Sequence, residues 1–269
     1  MSQPELYERF RALHEAPGAF IMPNPWDGGS ALLMKQAGLK ALGSTSFAIA
    51  IALGRNDGTH SVSRADAIAN AAMMTRLTGL PVNGDLEDGF GASPADCVAT
   101  VEAAIAAGLA GLGIEDTTAD PANPIHDFDL AVARMRAAAG AAKGRILLTG
   151  RTDNYLNGRP DLDDTIRRLV AFAEAGADVL YAPALPDLDA IRAVVKAVSP
   201  KPVNVLIGPG VPLATLAEAG VKRLSLGGAI YLGAMQAVAD AAAALAEGDL
   251  VAGSRALPGR TLMSLLPRK

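Results

Sequence analysis

Eight repeats of one pattern, a short apolar run followed by a polar loop and an alanine-rich helical stretch, predict a closed (β/α)8 barrel for this 269-residue chain. The alternative is a doubly wound open sheet. Two observations weigh against it: no Gly-x-Gly-x-x-Gly follows the first apolar run, and the composition does not shift along the chain. One domain is therefore expected, with a leading helix over 3–16, the barrel over 19–246 and a tail over 247–269.

The predicted strands are 19–23, 41–46, 81–85, 111–115, 145–150, 177–182, 202–207 and 221–226. Between them the helices announce their ends. Gly38, Gly79, Gly108, Gly176 and Gly220 each follow a helical run at C′, where a left-handed backbone favours glycine. Ser63, Ser93, Asp127 and Asp161 stand at N-cap positions, where a side-chain oxygen can accept from a free amide. The last barrel helix, over 231–246, is apolar nearly all round and shows only Gln236 and Asp240 as polar residues in its core. A helix outside a lone barrel should carry a polar face, so this one is expected to be buried against another copy of the chain. The alternative is that alanine, a strong helix former, tolerates water there.

Half the residues are hydrophobic, the net charge is −4 and there is no block of Lys or Arg, which points away from nucleic acid and anionic membranes and towards small molecules. No apolar run approaches the roughly 20 residues that span a bilayer, and the start lacks a basic region followed by an apolar one. A cytoplasmic location is expected. The single cysteine, Cys97, excludes an internal disulfide and reads as a buried, inert thiol.

In such a barrel, function belongs at the carboxyl ends of the strands. The polar residues there are Asn24, Ser44, Thr45, Ser46, Asp85, Glu87, Glu115, Asp116, Arg151, Asp153 and Asn204. The densest stretch is Asp85-Leu86-Glu87-Asp88-Gly89. Carboxylates so close resist ionising together unless water or a cation relieves them. Continued alternation would aim Asp85 and Glu87 at a common centre; an acidic surface turn is the alternative. Carboxylates from several strands, with one arginine, suit a hard divalent cation and an anionic substrate. The three histidines, His14, His60 and His126, avoid the strand ends, so magnesium fits better than a His-ligated metal. The long loops 54–60 and 117–124 read as lids or as solvated connections. The glycines at 208, 210, 227 and 228 read as tight turns, with a phosphate site the alternative.

These motifs resemble the isocitrate lyase/phosphoenolpyruvate mutase superfamily. Asp85-Leu86-Glu87-Asp88-Gly89-Phe90-Gly91 is similar to its Asp-Ala-Asp-Thr-Gly-Tyr-Gly, Gly111 to Asp116 to its Gly-x-x-Ile-Glu-Asp, Gly150 to Asp153 to its Ala-Arg-Thr-Asp, and Asn204 to its strand-seven asparagine. The resemblance implies a Mg²⁺ ion, replaceable by Mn²⁺, on Asp85 with Glu87 and Glu115 holding its waters. It implies a substrate pocket at Thr45, Ser46, Phe47, Arg151 and Asn204, a gating loop with Asp57, and a homotetramer that swaps its C-terminal helix.

The implied activity is cleavage or rearrangement of a C–C or P–C bond in a small 2-oxo or 2-hydroxy acid through an enolpyruvate-like intermediate, with oxaloacetate decarboxylation and phosphonopyruvate chemistry the leading cases. The stretch 117–127 has no cysteine, unlike the Lys-(Lys/Arg)-Cys-Gly-His lid of the lyases, which disfavours a thiol-dependent lyase. Asn123 falls where phosphonopyruvate-handling members carry a lid asparagine. The alternatives are a 2-methylisocitrate-type lyase without the cysteine, a barrel that binds a phosphorylated sugar, and a non-catalytic dicarboxylate-binding barrel.

Overall fold

The computed structural model describes residues 1–206, 211–250 and 257–266. The stretch 207–210, which contains the end of the seventh predicted strand and the Gly208 and Gly210 turn, lies outside the described residues, as do 251–256 and 267–269 of the tail. Eight parallel strands are present: β1 (Phe20–Met22), β2 (Leu42–Gly43), β3 (Val82–Asp85), β4 (Gly111–Glu115), β5 (Leu147–Arg151), β6 (Val179–Tyr181), β7 (Val203–Leu206) and β8 (Arg223–Ser225). They pair in the order β1-β8-β7-β6-β5-β4-β3-β2. The seam between β1 and β2 is tied by the Gly43 N–H, which donates to the Pro23 carbonyl at 2.9 Å. Asn24 straddles the same seam: its Oδ1 accepts from the Leu226 and Gly227 amides, and its Nδ2 donates to the Ser44 carbonyl. The result is a (β/α)8 barrel, as the repeats predict.

The largest departure is the second strand, which ends at Gly43 because Thr45 turns the chain into a helix and caps it. The helices are α1 (Gln3–Glu15), α2 (Gly28–Gln36), α3 (Ser46–Ala52), α4 (Arg64–Thr78), α5 (Pro94–Ala106), α6 (Phe128–Ala142), α7 (Leu162–Ala175), α8 (Leu188–Val198), α9 (Leu213–Glu218), α10 (Ala229–Ala246) and α11 (Gly259–Leu265). Ser63, Ser93 and Asp161 accept the amides of Asp66, Asp96 and Asp164, while Asp127 starts α6 without a side-chain cap bond. The five predicted C′ glycines all have positive φ.

The main core lies between strands and helices, and the buried Cys97 belongs to it. A second, smaller cluster closes the amino-terminal end of the barrel. Helix α1 lies there, with Leu6 and Phe10 packed on Met22, Ala41, Ala110 and Leu147. A Cβ on Gly111 would come within 2.6 Å of the Phe10 ring, so only glycine admits this plug. One helix departs from the reading that no apolar stretch nears bilayer length: α10 has 18 residues with a mean hydropathy of 1.4 and is mostly exposed. Its hydropathy is that of an alanine-rich helix, and its place is the last helix of the final βα unit.

Candidate active site

Three strands bring charge to the carboxyl mouth of the barrel. Asp85 ends β3, Glu115 ends β4 and Arg151 ends β5, and parallel register sets Glu115 directly beside Arg151. The guanidinium is braced on two sides. Nε and Nη2 fork onto Asp153 at 2.5 and 2.6 Å, and Nη1 lies 3.0 Å from Glu115 Oε2 and 3.5 Å from Asp85 Oδ1. The Tyr181 ring, with its centroid 5.3 Å from Cζ, packs beside it. The Nε–Nη2 edge is thus committed to Asp153, and Nη1 faces Glu115 and Asp85 at the mouth.

One guanidinium cannot neutralise three carboxylates. Burial lifts Glu115 well above the usual carboxylate range against the pull of Arg151, with Asp153 and Asp85 adding to the rise. The same acids raise Arg151 further although burial opposes them. Glu115 also accepts from the Thr117 hydroxyl at 2.8 Å. Asp85 is held from the other side, where the Ser46 amide donates to its Oδ2 at 2.8 Å and its own amide donates to Ser44 Oγ at 2.8 Å.

The alternation expected beyond Asp85 does not continue. Leu86 turns inward to full burial, Gly89 donates back to the Leu86 carbonyl at 2.9 Å, and Glu87 takes a left-handed backbone with φ 48°. Glu87 nevertheless stays beside Asp85, because the turn buries its carboxyl among acids. Burial first, then Asp57, Asp85 and Asp88, push it up to about 8, and its Oε2 is buried without a hydrogen-bond partner. Asp88 is a different case. It pairs with His60 Nε2 at 2.6 Å and with Arg134 at 3.9 Å, so the third acid of the stretch is compensated by protein and clamps the 54–60 loop. Asp57, on that loop, has its pKa raised by desolvation of the carboxyl and by Asp85.

An orphaned buried carboxylate oxygen beside a second carboxylate, with only oxygen donors in reach, fits a hard cation. Among the described residues no three His, Cys, Asp or Glu side chains form a closed ligand set.

Of the remaining predicted site residues, Thr45 caps α3 and Ser46 contacts Asp85. Phe47 packs against Gly228 and Tyr231 at the rim. Asn204 lines a cavity of about 70 Å³ beneath Arg151 and Asp85. Asn123 stands apart. It is exposed in the 117–125 turn, its amide donating to Asp120 Oδ2 at 3.0 Å. The cavity is also lined by polar residues that the strand-end motifs do not single out, among them Asn83, Thr149, Tyr181, Arg223 and Ser225. For Arg223 the signal is a charged side chain at an alternate position of a strand, on the same face as Ser225.

A (β/α)8 barrel that gathers acids around one braced arginine at its carboxyl mouth has the site of its class where function belongs. The particular family follows from comparison: residues 10–246 match the phosphoenolpyruvate phosphomutase family, and the chain belongs to it. It is similar to the crystal structure of a proposed lyase/mutase from Burkholderia cenocepacia J2315, with 44% identity and a TM-score of 0.92 over 97% of this chain and 95% of that one. A proposed phosphonomutase from the same organism superposes with a TM-score of 0.80 at 38% identity, covering 87% of this chain and 98% of that one. An oxaloacetate decarboxylase from Paraburkholderia xenovorans is 30% identical over 96% of this chain and 87% of its own length.

Proposed function

We propose that the protein is a divalent-cation-dependent lyase or mutase. It acts on a C–C or P–C bond of a small 2-oxo or 2-hydroxy acid through an enolpyruvate-like intermediate, with magnesium the expected ion. The observation that carries this reading is the meeting at one mouth of a buried carboxyl oxygen without a hydrogen-bond partner, Glu87 Oε2, and a braced guanidinium, Arg151, with Asp85 among the acids that face both.

A bound hard cation supplies Lewis acidity at the 2-oxo oxygen, and Asp85, Glu87 and Glu115 would hold it directly or through water. Arg151 would orient the substrate carboxylate through Nη N–H groups that Asp153 does not take, in exchange for contacts it now makes to Glu115 and Asp85. Backbone N–H groups around Thr45–Phe47, of which the Ser46 amide is taken by Asp85, would complete the pocket for the enolate oxygen. Asp57, whose pKa burial and Asp85 raise, is the candidate on the 54–60 loop to protonate C3 of the enolate once the bond there has broken.

Oxaloacetate decarboxylation is the first reaction to test, supported by the relative of that name that aligns over nearly the whole chain. Chemistry on a phosphonate is the second, supported by the phosphonomutase likeness. The absence of cysteine from 117–127 argues against a lyase that needs a lid thiol. The cytoplasm and a homo-oligomeric state complete the reading.

Turnover of oxaloacetate and phosphonopyruvate is to be followed with Mg²⁺ and with EDTA. The expected result is release of carbon dioxide or phosphoenolpyruvate that stops on chelation and resumes with Mg²⁺. Turnover indifferent to EDTA would overturn the cation's role; stabilisation by oxalate without turnover of either acid would identify a binding barrel.

A further inference from the structure

Arg223 opens β8 deep inside the barrel and is 2% exposed. A buried guanidinium is costly unless a counter-charge meets it. None does: among the described residues no carboxylate lies within ion-pair distance. Its partners are Asn204 Oδ1, which accepts from Nε at 2.8 Å, Thr149 Oγ1, which accepts from Nη2 at 2.9 Å, and His14 Nε2, 3.4 Å from Nη1. The imidazole adds no charge. Burial and the nearby Arg223 push His14 down to about 3, and its Nδ1 lies 2.8 Å from the Phe10 carbonyl. That contact assigns the proton to Nδ1 and leaves Nε2 an acceptor for the guanidinium. Burial pushes Arg223 itself down, to about 9, which keeps it cationic at neutral pH.

Arg223 faces Asn204 in the β7–β8 register, and Asn204 is 1% exposed. A guanidinium can only donate, so Asn204 must present its oxygen to it, which settles the amide flip. The NH2 group is turned away, where one N–H donates to Ser225 Oγ at 2.9 Å. The second N–H has no partner among the described residues. Both Asn204 and Arg223 line the cavity whose upper wall is Asp85 and Arg151.

We propose that Arg223 is a positioning residue for anion binding: it locks the Asn204 amide with its oxygen turned to the guanidinium and its second N–H free for the cavity, and leaves an unneutralised positive charge beneath it. The floor of the barrel is thereby selective for the anionic head of the substrate. This inference rests on the reading of the mouth as a 2-oxo acid site.

The test is calorimetric titration of oxalate in the presence of Mg²⁺, on the full chain, with melting curves for every variant. Arg223→Met is expected to weaken oxalate about tenfold or more, and Arg223→Lys to recover part of that loss. In an Asn204→Ala background, Arg223→Met should cost less than about threefold, because one acts through the other. Asn204→Asp provides a variant that does not depend on a tolerant core. It gives Arg223 a counter-charge in nearly the same volume, so it should raise the melting temperature and yet weaken oxalate about tenfold. Oxalate affinity within about twofold of wild type in both Arg223 variants overturns the proposal, as does undiminished affinity in Asn204→Asp. A wild-type protein that binds neither oxalate nor oxaloacetate would overturn the 2-oxo acid reading and this inference with it. Tight wild-type binding with insensitive variants removes only Arg223.

Discussion

Asp153 donates its backbone N–H to Asp116 Oδ1 at 3.0 Å, and this bond joins the ends of β4 and β5 into one part. Asp116 Oδ2 accepts from the Thr152 hydroxyl at 2.8 Å and from Arg168 Nη1 at 3.1 Å. Asp153 in turn forks onto Arg151. The pairs Glu115-Asp116 and Arg151-Asp153 are therefore one device: an outer acid fixes an inner acid, which aims the guanidinium. Asp116→Ala should cost on the order of 3–5 kcal/mol, because it strands the buried Arg168 without that partner. Urea unfolding measures the loss; a variant as stable as wild type would show that Arg168 is satisfied by Asp164 and the His126 carbonyl alone.

Asp85→Ala is expected to abolish cation-dependent turnover while leaving the fold intact. Its side chain is a quarter exposed, so removing it trims a charge from the mouth and opens no cavity in the core. Full activity at saturating Mg²⁺ would remove Asp85 from the site.

Arg151→Lys is expected to lower kcat/KM by an amount equivalent to about 1–3 kcal/mol. An ammonium cannot fork onto Asp153 and at the same time offer a flat edge to a substrate carboxylate. An unchanged kcat/KM would mean that the substrate is held elsewhere.

His14 gives the stability a pH dependence. Its folded-state pKa is depressed, chiefly by burial, to about 3, below its ordinary 6.5, so from 6.5 downward the unfolded chain takes up a proton that the folded chain refuses. The stability from keeping it neutral is complete above pH 6.5 and drains away as the pH falls towards 3. His14→Gln should flatten this limb between pH 6 and about 4 in thermal melts. An identical slope in wild type and variant would assign the limb to the carboxylates.

Helix α10 bears on assembly. Ile230, Leu232, Met235, Val238 and Leu245 are all exposed along it. In a soluble assembly such a face calls for cover, and a second copy of the chain is the expected occupant. Sedimentation at micromolar concentration should give an oligomer, with a tetramer expected. A single species at 27.4 kDa would show that the alanine-rich face is merely hydrated.

The barrel was legible in the sequence because its punctuation is local. A glycine that must be left-handed after a helix, and a serine that must cap the next one, each depend on a few neighbours. The strand-end acids were legible for the same reason, since parallel register carries Glu115 to Arg151 once the strands are known. Three features were not. The turn that lifts Glu87 out of alternation depends on Leu86 finding a buried slot. The pairing of Asp88 with His60 crosses 28 positions, so the acid looks like part of the site until the loop folds over it. Arg223 has partners 74 and 209 residues away, and its place in the sequence, next to Lys222, gives no hint of which neutral groups will surround it. The reading of Asn123 went no further than its lid position, because the contact that occupies its amide, with Asp120, is made inside the lid itself.

Phe10 and the helix that carries it stopper one end of the barrel. The site is consequently a blind alley: whatever reaches Asn204 and Arg223 has come past Asp85 and Arg151, and must go back the same way. Traffic through a single doorway is sequential. If the proposed cleavage occurs here, a fragment split off near the rim would leave before the one gripped below it, and the order of product release would follow from the architecture.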